Sequence, residues 1–202
     1  MLVERLSGFA KMNIRLALVL MCVAITPAEA QSVLFDFDSA PLFTPLPLDV
    51  SVGSLTAHLS ATGEGYSIQR ADTLGFTPAG FAGNSIYPSS VFAADLLVSF
   101  SEVLTDFSIM FAPEEYACDS SATMRVTAYM GTTFVATATA TAPVPGTWPT
   151  GVLSITAPQG FDNVVVHYDS PPPTGGDWGP IFMADNMSVT PNADVIFMNG
   201  FD

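Results

Sequence analysis

An all-β fold, two antiparallel sheets packed face to face as a β-sandwich of jelly-roll type, is what this 202-residue sequence predicts, on three observations. Glycine, proline, serine and threonine punctuate the chain after position 30 roughly every eight to fifteen residues, the rhythm of short strands joined by turns. The segments between them are rich in Val, Ile, Phe, Thr and Tyr, residues that fit a pleated, half-buried surface. No segment repeats its apolar residues at helical spacing, which removes the α/β architectures.

The elements follow in order. Val33-Leu-Phe-Asp-Phe37 opens as a strand, and the prolines between Pro41 and Pro47 exclude a central strand or a helix there. Strands are expected over Val52 to Ala61 and Gly65 to Gln69, split by the Gly63 and Gly65 turn. Thr73 to Pro88, with its glycines, prolines and exposed-looking aromatics, reads as a long loop or a pair of irregular edge strands. Asp95 to Phe100 is a strand, and Leu104 to Phe111 alternates so that Thr105, Phe107, Ile109 and Phe111 face the core. Thr123 to Met130 and Thr133 to Ala140 form a hairpin turning at Gly131-Thr132. Gly151 to Thr156, Phe161 to Tyr168 and Ile181 to Val189 complete the set. About nine strands in one chain call for two facing sheets, with a jelly roll preferred over an immunoglobulin-like order because no cysteine pair marks the latter.

Residues 1–30 are read apart from this domain. Arg5, Lys11 and Arg15 precede the apolar run Leu16 to Ile25, and Ala28-Glu29-Ala30 supplies small residues for cleavage before Gln31, the layout of a secretory signal peptide starting at Met1 or Met12. The run is half the ~20 residues a membrane-crossing helix needs, so no membrane anchor is expected after cleavage. Cys22 within it also admits a lipoprotein reading, against which Met21 is a poor fit. The expected organisation is a signal peptide over 1–30, one β-sandwich domain over 31–190 and a tail over 191–202, with a secreted, extracellular or periplasmic location.

After position 30 the only basic residues are Arg70 and Arg125, against seventeen of the nineteen acidic ones. Nucleic acid and anionic membrane surfaces are therefore excluded as partners. The acidic excess reads either as a solubilising surface or as carboxylates neutralised by Ca²⁺, which is abundant outside cells. Cys118 alone remains beyond the leader, so no disulfide framework is expected.

Taken together, the opening Phe35-Asp-Phe-Asp38, the strand Val103 to Phe111 feeding a hairpin with Ala128-Tyr-Met-Gly131 at its turn, and Phe161-Asp-Asn-Val164 followed by Phe182-Met-Ala-Asp-Asn-Met-Ser-Val189 resemble exported bacterial β-sandwich proteins of the exosortase-associated group, whose domains look like the jelly rolls of carbohydrate-binding modules. The Pro-Glu-Pro, apolar helix and basic tail of that group's sorting tag do not occur at Asn199-Gly-Phe-Asp202, which favours free secretion over surface sorting. The resemblance implies binding of a glycan or another extracellular component without catalysis. It also implies a structural Ca²⁺ where the first and a late strand approach each other. Carried over by position, its ligands are Asp36 or Asp38 with Asp185, and Asn186 through its amide oxygen. Asp36 and Asp38 are equally read as the charged outer side of an edge strand, and Asp185-Asn186 as a turn or bulge signal.

Catalytic patterns are weak. His58 and His167 lie in separate strands without metal-ligand spacing, Glu114-Glu115 and Asp119 near Cys118 read as solvated charge, and no nucleophile-elbow glycines surround a serine or cysteine. For ligand binding the candidates are Trp148, Trp178, Tyr87 and Phe81, in Pro/Gly-rich stretches, whose ring faces suit the C–H face of a sugar; each Trp is also read as a plug at one end of the core. Two rival functions are self-association through aromatic and Thr-rich strands, and polysaccharide hydrolysis, which requires two convergent carboxylates in a groove.

Overall fold

The computed structural model describes residues 31–113, 123–142, 149–169 and 181–192. These form ten strands: β1 (Val33–Phe35), β2 (Leu48–Val52), β3 (Leu55–Ala61), β4 (Tyr66–Arg70), β5 (Asn84–Pro88), β6 (Leu96–Pro113), β7 (Thr123–Met130), β8 (Thr133–Thr141), β9 (Gly151–Tyr168) and β10 (Phe182–Pro191). Among the described residues there is no helix long and apolar enough to cross a membrane.

Every strand pairing is antiparallel. The two long strands, β6 and β9, each serve both layers of the sandwich. The early part of β6 pairs with β3 and with the late part of β9, giving a first layer in the order β2-β3-β6-β9-β7-β8. After register shifts between Ser99 and Asp106, the late part of β6 pairs with β10 and with the early part of β9. The second layer therefore runs β4-β5-β10-β6-β9, with β1 alongside β10. Strands that pass between sheets at bulges are how an all-β sandwich turns its corners.

Side-chain alternation follows from the pleat. In the first layer Leu55, Ala57 and Leu59 of β3, Leu96 and Val98 of β6, Val164 and Val166 of β9, and Met124, Val126 and Ala128 of β7 are buried. In the second, Phe107, Ile109 and Phe111 of β6 meet Leu153 and Ile155 of β9, as expected, whereas Thr105, expected on the same face, is only half-buried, its hydroxyl donating to Asp106. Leu104, expected on the opposite face, is also fully buried, because the register shift next to it reverses the alternation. Phe100 and Phe107 meet edge to face at 6.3 Å, and Tyr66 lies 5.2 Å from Phe182.

Tyr66 brings a polar group into this core and satisfies it: its hydroxyl donates to the Ala94 carbonyl at 2.7 Å. Burial, assisted by the negative charge of Asp95, raises its phenol well above the usual range. Tyr66→Phe is expected to lower stability by about 1 kcal/mol, measured by urea unfolding, because the carbonyl loses its donor.

Three sequence expectations change. The two strands expected over 95–111 are one bent strand, and so are the two expected over 151–168, the glycine and proline between the latter marking a bend. The first strand stops at Phe35: Phe37 has φ of 59° and Asp36 to Ala40 form a turn closed by Ala40 N–H to the Phe37 carbonyl. Asp36 and Asp38 thus share the exposure expected of them but not a strand face.

Candidate functional site

Two places concentrate chemistry. The first is a corner where the end of β1 meets β10. Phe35 pairs with Met187, so the turn after β1 lies beside a bulge in β10 between Asp185 and Ser188, where Asn186 has φ of 48°. The bulge lets Ala184 and Met187 both face the main core while Asp185 turns to the outer side of the layer. Residues 80–84 cross over that side. Asp185 is only 1% exposed there, its two oxygens accepting from the Ala82 and Asn186 backbone N–H groups at 3.2 and 2.7 Å. Asp38 accepts from Asn84 N–H at 2.8 Å, Asp36 from Asp38 N–H at 3.2 Å, and the Asn186 amide donates to the Gly80 carbonyl at 3.3 Å. Gly83, at φ of 54°, is required by the packing, since a Cβ would fall on the Asp38 carboxylate.

Burial raises the Asp185 carboxyl to about 6; its two backbone donors oppose the rise, and the negative charges of Asp38 and Asp36 add to it. Ser85, fully buried on the neighbouring strand β5 one residue from the Ile86–Ala184 pairing, has a hydroxyl with no hydrogen-bond partner. A buried hydroxyl without a partner next to a buried carboxylate is a donor set with acceptor capacity left over. The structure therefore brings Asp36, Asp38, Asp185 and Asn186 into one neighbourhood, although among the described residues no three His, Cys, Asp or Glu side chains converge as a metal-ligand group.

The second place is the outer face of the first layer. Register sets Asp49, His58, Ser99, Asn163, Tyr129 and Phe134 in one row across all six strands. His58 Nδ1 and Asp49 Oδ1 lie 2.6 Å apart at one end. At the other end Tyr129 and Phe134 meet edge to face at 6.3 Å and 83°, with Phe134 59% exposed. Between them is a groove of about 410 Å³ whose lining includes Ser60, Leu97, Ser99, Asn163, Val165 and, at the aromatic end, Gly131. The β7–β8 turn is pinned to β9: Asp162 accepts from Gly131 N–H at 2.8 Å and Asn163 donates to the Gly131 carbonyl at 2.9 Å. The aromatic pair is therefore held in place by a rigid turn. Near the groove, His167 Nδ1 lies 2.6 Å from Asp95, and Arg125 donates to Asp169 at 2.8 Å, so the two histidines sit in separate carboxylate pairs.

Among the aromatics expected to bind ligand, Phe81 is 6% exposed and packs with Ala71, Ala112, Ile181 and Met183 in a small second core, with Tyr87 half-buried against it. Phe81 is thus a packing residue rather than an open stacking platform, because the 71–83 segment folds onto the sheet. A shallow depression of about 310 Å³ beside it is lined by Arg70 and Asp72, which close on each other through two 2.8 Å hydrogen bonds. Trp148, Trp178, Glu114, Glu115, Cys118 and Asp119 lie outside the described residues, as do residues 1–30 and the chain beyond Asn192.

No protein-family model matches the chain, and no curated protein matches it. Solved structures do. The K2 cleaved adhesin domain of Lys-gingipain superposes with a TM-score of 0.51 at 13% identity, covering 79% of this chain and 99% of that one. The K1 cleaved adhesin domain of the same protein from Porphyromonas gingivalis W83 gives 0.44 at 16% identity, covering 80% and 99%. A carbohydrate-binding and INT domain structure from Clostridium perfringens ZmpB, complexed with GlcNAc, gives 0.38 at 12% identity, covering 65% and 29%. The likeness is one of fold. The chain is an all-β, two-sheet antiparallel sandwich with jelly-roll-like strand topology.

Sequence reasoning missed Tyr129, Phe134 and Asn163 as site residues. The available signal was the period-two alternation of β7 and β9, which marks them as outward-facing, but only the register places them in one row.

Proposed function

We propose that the chain is an exported, non-catalytic glycan-binding module, and that the groove on the outer face of the first layer is its binding surface. The observation that carries this reading is a groove with an apolar floor and fixed polar groups, at whose Gly131 end the register sets the Tyr129–Phe134 pair beside Asn163, with Phe134 exposed. Phe134 offers an open ring face for the C–H side of a sugar ring, while Ser60, Ser99 and Asn163 present hydroxyl and amide groups suited to sugar hydroxyls. The exosortase-associated exported proteins that the sequence resembles, with their carbohydrate-binding-module-like jelly rolls, offer a setting for such a module. Secretion rests on the leader-like 1–30 segment.

The same reading includes a structural Ca²⁺ at the β1–β10 corner. Asp185 with Asp36 or Asp38, and Asn186 through its amide oxygen, would hold it; because no three acidic side chains converge there among the described residues, the ion would have to draw these groups together, and it would neutralise the negative charges that raise the Asp185 carboxyl. Its role there is to fix the corner, not to bind sugar directly.

A glycan array probed with the purified exported chain, in Ca²⁺ and in EDTA, tests both parts. Phe134→Ala and Tyr129→Ala are expected to weaken binding to any glycan that registers by at least about tenfold without altering the fold. Absence of binding in either condition, or binding indifferent to both substitutions, overturns the groove assignment. Binding that survives EDTA while thermal stability falls separates the ion from the sugar site.

A further inference from the structure

We propose that the free edge of β8 pairs antiparallel with the β8 edge of a second copy, joining two first layers into one continuous sheet about a two-fold axis. A sheet edge exposes a row of unpaired backbone N–H and C=O groups, and native edges are normally blunted by charge, proline or a covering segment. Two other edges of this sandwich carry such devices. The edge of β4 is covered by the segment before β2: Phe43 and Leu46 N–H groups donate to the Ile68 and Tyr66 carbonyls, and Pro45 bridges Ser67. The edge of β2 carries Asp49. By contrast β8 is a nine-residue strand, Thr-Phe-Val-Ala-Thr-Ala-Thr-Ala-Thr, with no charge and no proline, and although it lies against β9, among the described residues no strand other than β7 is hydrogen-bonded to it.

Charge distribution selects a second copy as the occupant. The chain has a net charge of −14, so two copies repel over most of their surfaces, yet no charged residue occurs between Arg125 and Asp162. That interval includes β8 and the early part of β9, which are the edge strands of the two layers. Two copies can meet there without bringing carboxylates together, and a closed two-fold contact uses the same patch on both.

The sequence of β8 is also complementary to itself. Antiparallel pairing centred on Ala138 sets Ala136 against Ala140 and Thr137 against Thr139 of the other copy, so threonines face threonines on the outer side and alanines face alanines on the inner. The β7–β8 pairing already uses this arrangement within the chain: Thr123 and Thr141 hydroxyls lie 2.8 Å apart, those of Thr127 and Thr137 3.3 Å, and Ala128 opposes Ala136. Pairing at the free edge repeats that ladder once more.

Sedimentation of the purified exported chain from micromolar to millimolar concentration should show a monomer–dimer equilibrium. Thr139 is exposed, and Thr139→Glu is expected to raise the dimer dissociation constant roughly tenfold by adding charge on both sides of the axis. Register is tested in a Cys118→Ser background by oxidising Thr137→Cys and Thr139→Cys chains separately and mixed. The mixture should cross-link between copies well beyond either chain alone. A chain that remains monomeric throughout overturns the proposal, as does a dimer that neither responds to Thr139→Glu nor cross-links in the mixture. Circular dichroism shows whether Thr139→Glu folds, and where it does not, the cross-link decides.

Discussion

In the absence of divalent ions, the folded protein is expected to become more stable as pH falls from 7.5 to 4.5, the reverse of ordinary acid denaturation. Asp185 is 1% exposed, and burial raises its carboxyl to about 6 from the 3.8 of a free side chain. A carboxyl whose folded value lies above its unfolded one binds its proton more tightly in the folded state. Its contribution is therefore fully present below the unfolded value and is lost as pH rises through the folded one. The difference corresponds to a stabilisation of about 2 kcal/mol between pH 7.5 and 4.5, or a rise of roughly 4–8 °C in unfolding temperature for a domain of this size. A Ca²⁺ bound as proposed would replace the proton as the source of neutralisation, so saturating Ca²⁺ should then raise the unfolding temperature near pH 7.5 and flatten this dependence. Asp185→Asn should flatten it in EDTA and abolish the Ca²⁺ response. Thermal unfolding in EDTA and in Ca²⁺ across this pH range gives the result. A wild-type protein whose stability only falls on acidification would show that Asp185 ionises freely, and one indifferent to Ca²⁺ at pH 7.5 would remove the ion from the corner.

What the chain discloses about its fold follows from which information is local. Alternation in β7, β10 and the two halves of β6 and β9 is written into neighbouring residues, so the all-β class, the buried faces of Phe107, Ile109 and Phe111, and the hairpin at Gly131-Thr132 can all be read directly. Gly160 and Pro158 look like terminators from the sequence, but in β9 they mark a bend within one strand, because tertiary pairing to β6 continues on both sides. β2 begins immediately after the prolines and holds its place by pairing along β3, a support that local composition does not show. The closeness of the acidic residues could be anticipated because Asp36 and Asp38 follow the first recognisable strand, Asp185 and Asn186 lie within the last, and those two strands pair. The groove was not, since its row of side chains is assembled from six strands by register, and Asn163 or Phe134 alone has nothing to distinguish it.

Gly160→Ala should be among the most damaging single-methyl changes available in this domain, because it acts where the two long strands bend together. Gly160 has φ of 86°, outside the range alanine adopts comfortably, and an added Cβ would lie 2.6 Å from Val103 Cγ1 on the bend of β6. Next to it Phe161 is fully buried, and beyond Val103 the chain is tied by Asn192 N–H donating to the Val103 carbonyl at 2.7 Å. The methyl therefore cannot be accommodated by moving one free side chain; relief requires shifting a corner shared by both layers. The conformational part costs about 1–2 kcal/mol and the overpacking about 1–3 kcal/mol more, for a total of roughly 2–5 kcal/mol. Gly53→Ala separates the two parts, since Gly53 also has positive φ, at 62°, but its Cβ would meet nothing within 4 Å. That substitution should show the conformational cost alone. Urea unfolding of both variants measures the difference through the midpoint at constant slope. Equal losses would mean that the bend yields to the methyl and that β6 and β9 are not locked to each other at the corner. A loss at Gly160 larger by 1 kcal/mol or more, on the order of one overpacked methyl, would show that the crossing of the two strands is a close-packed joint on which both layers depend.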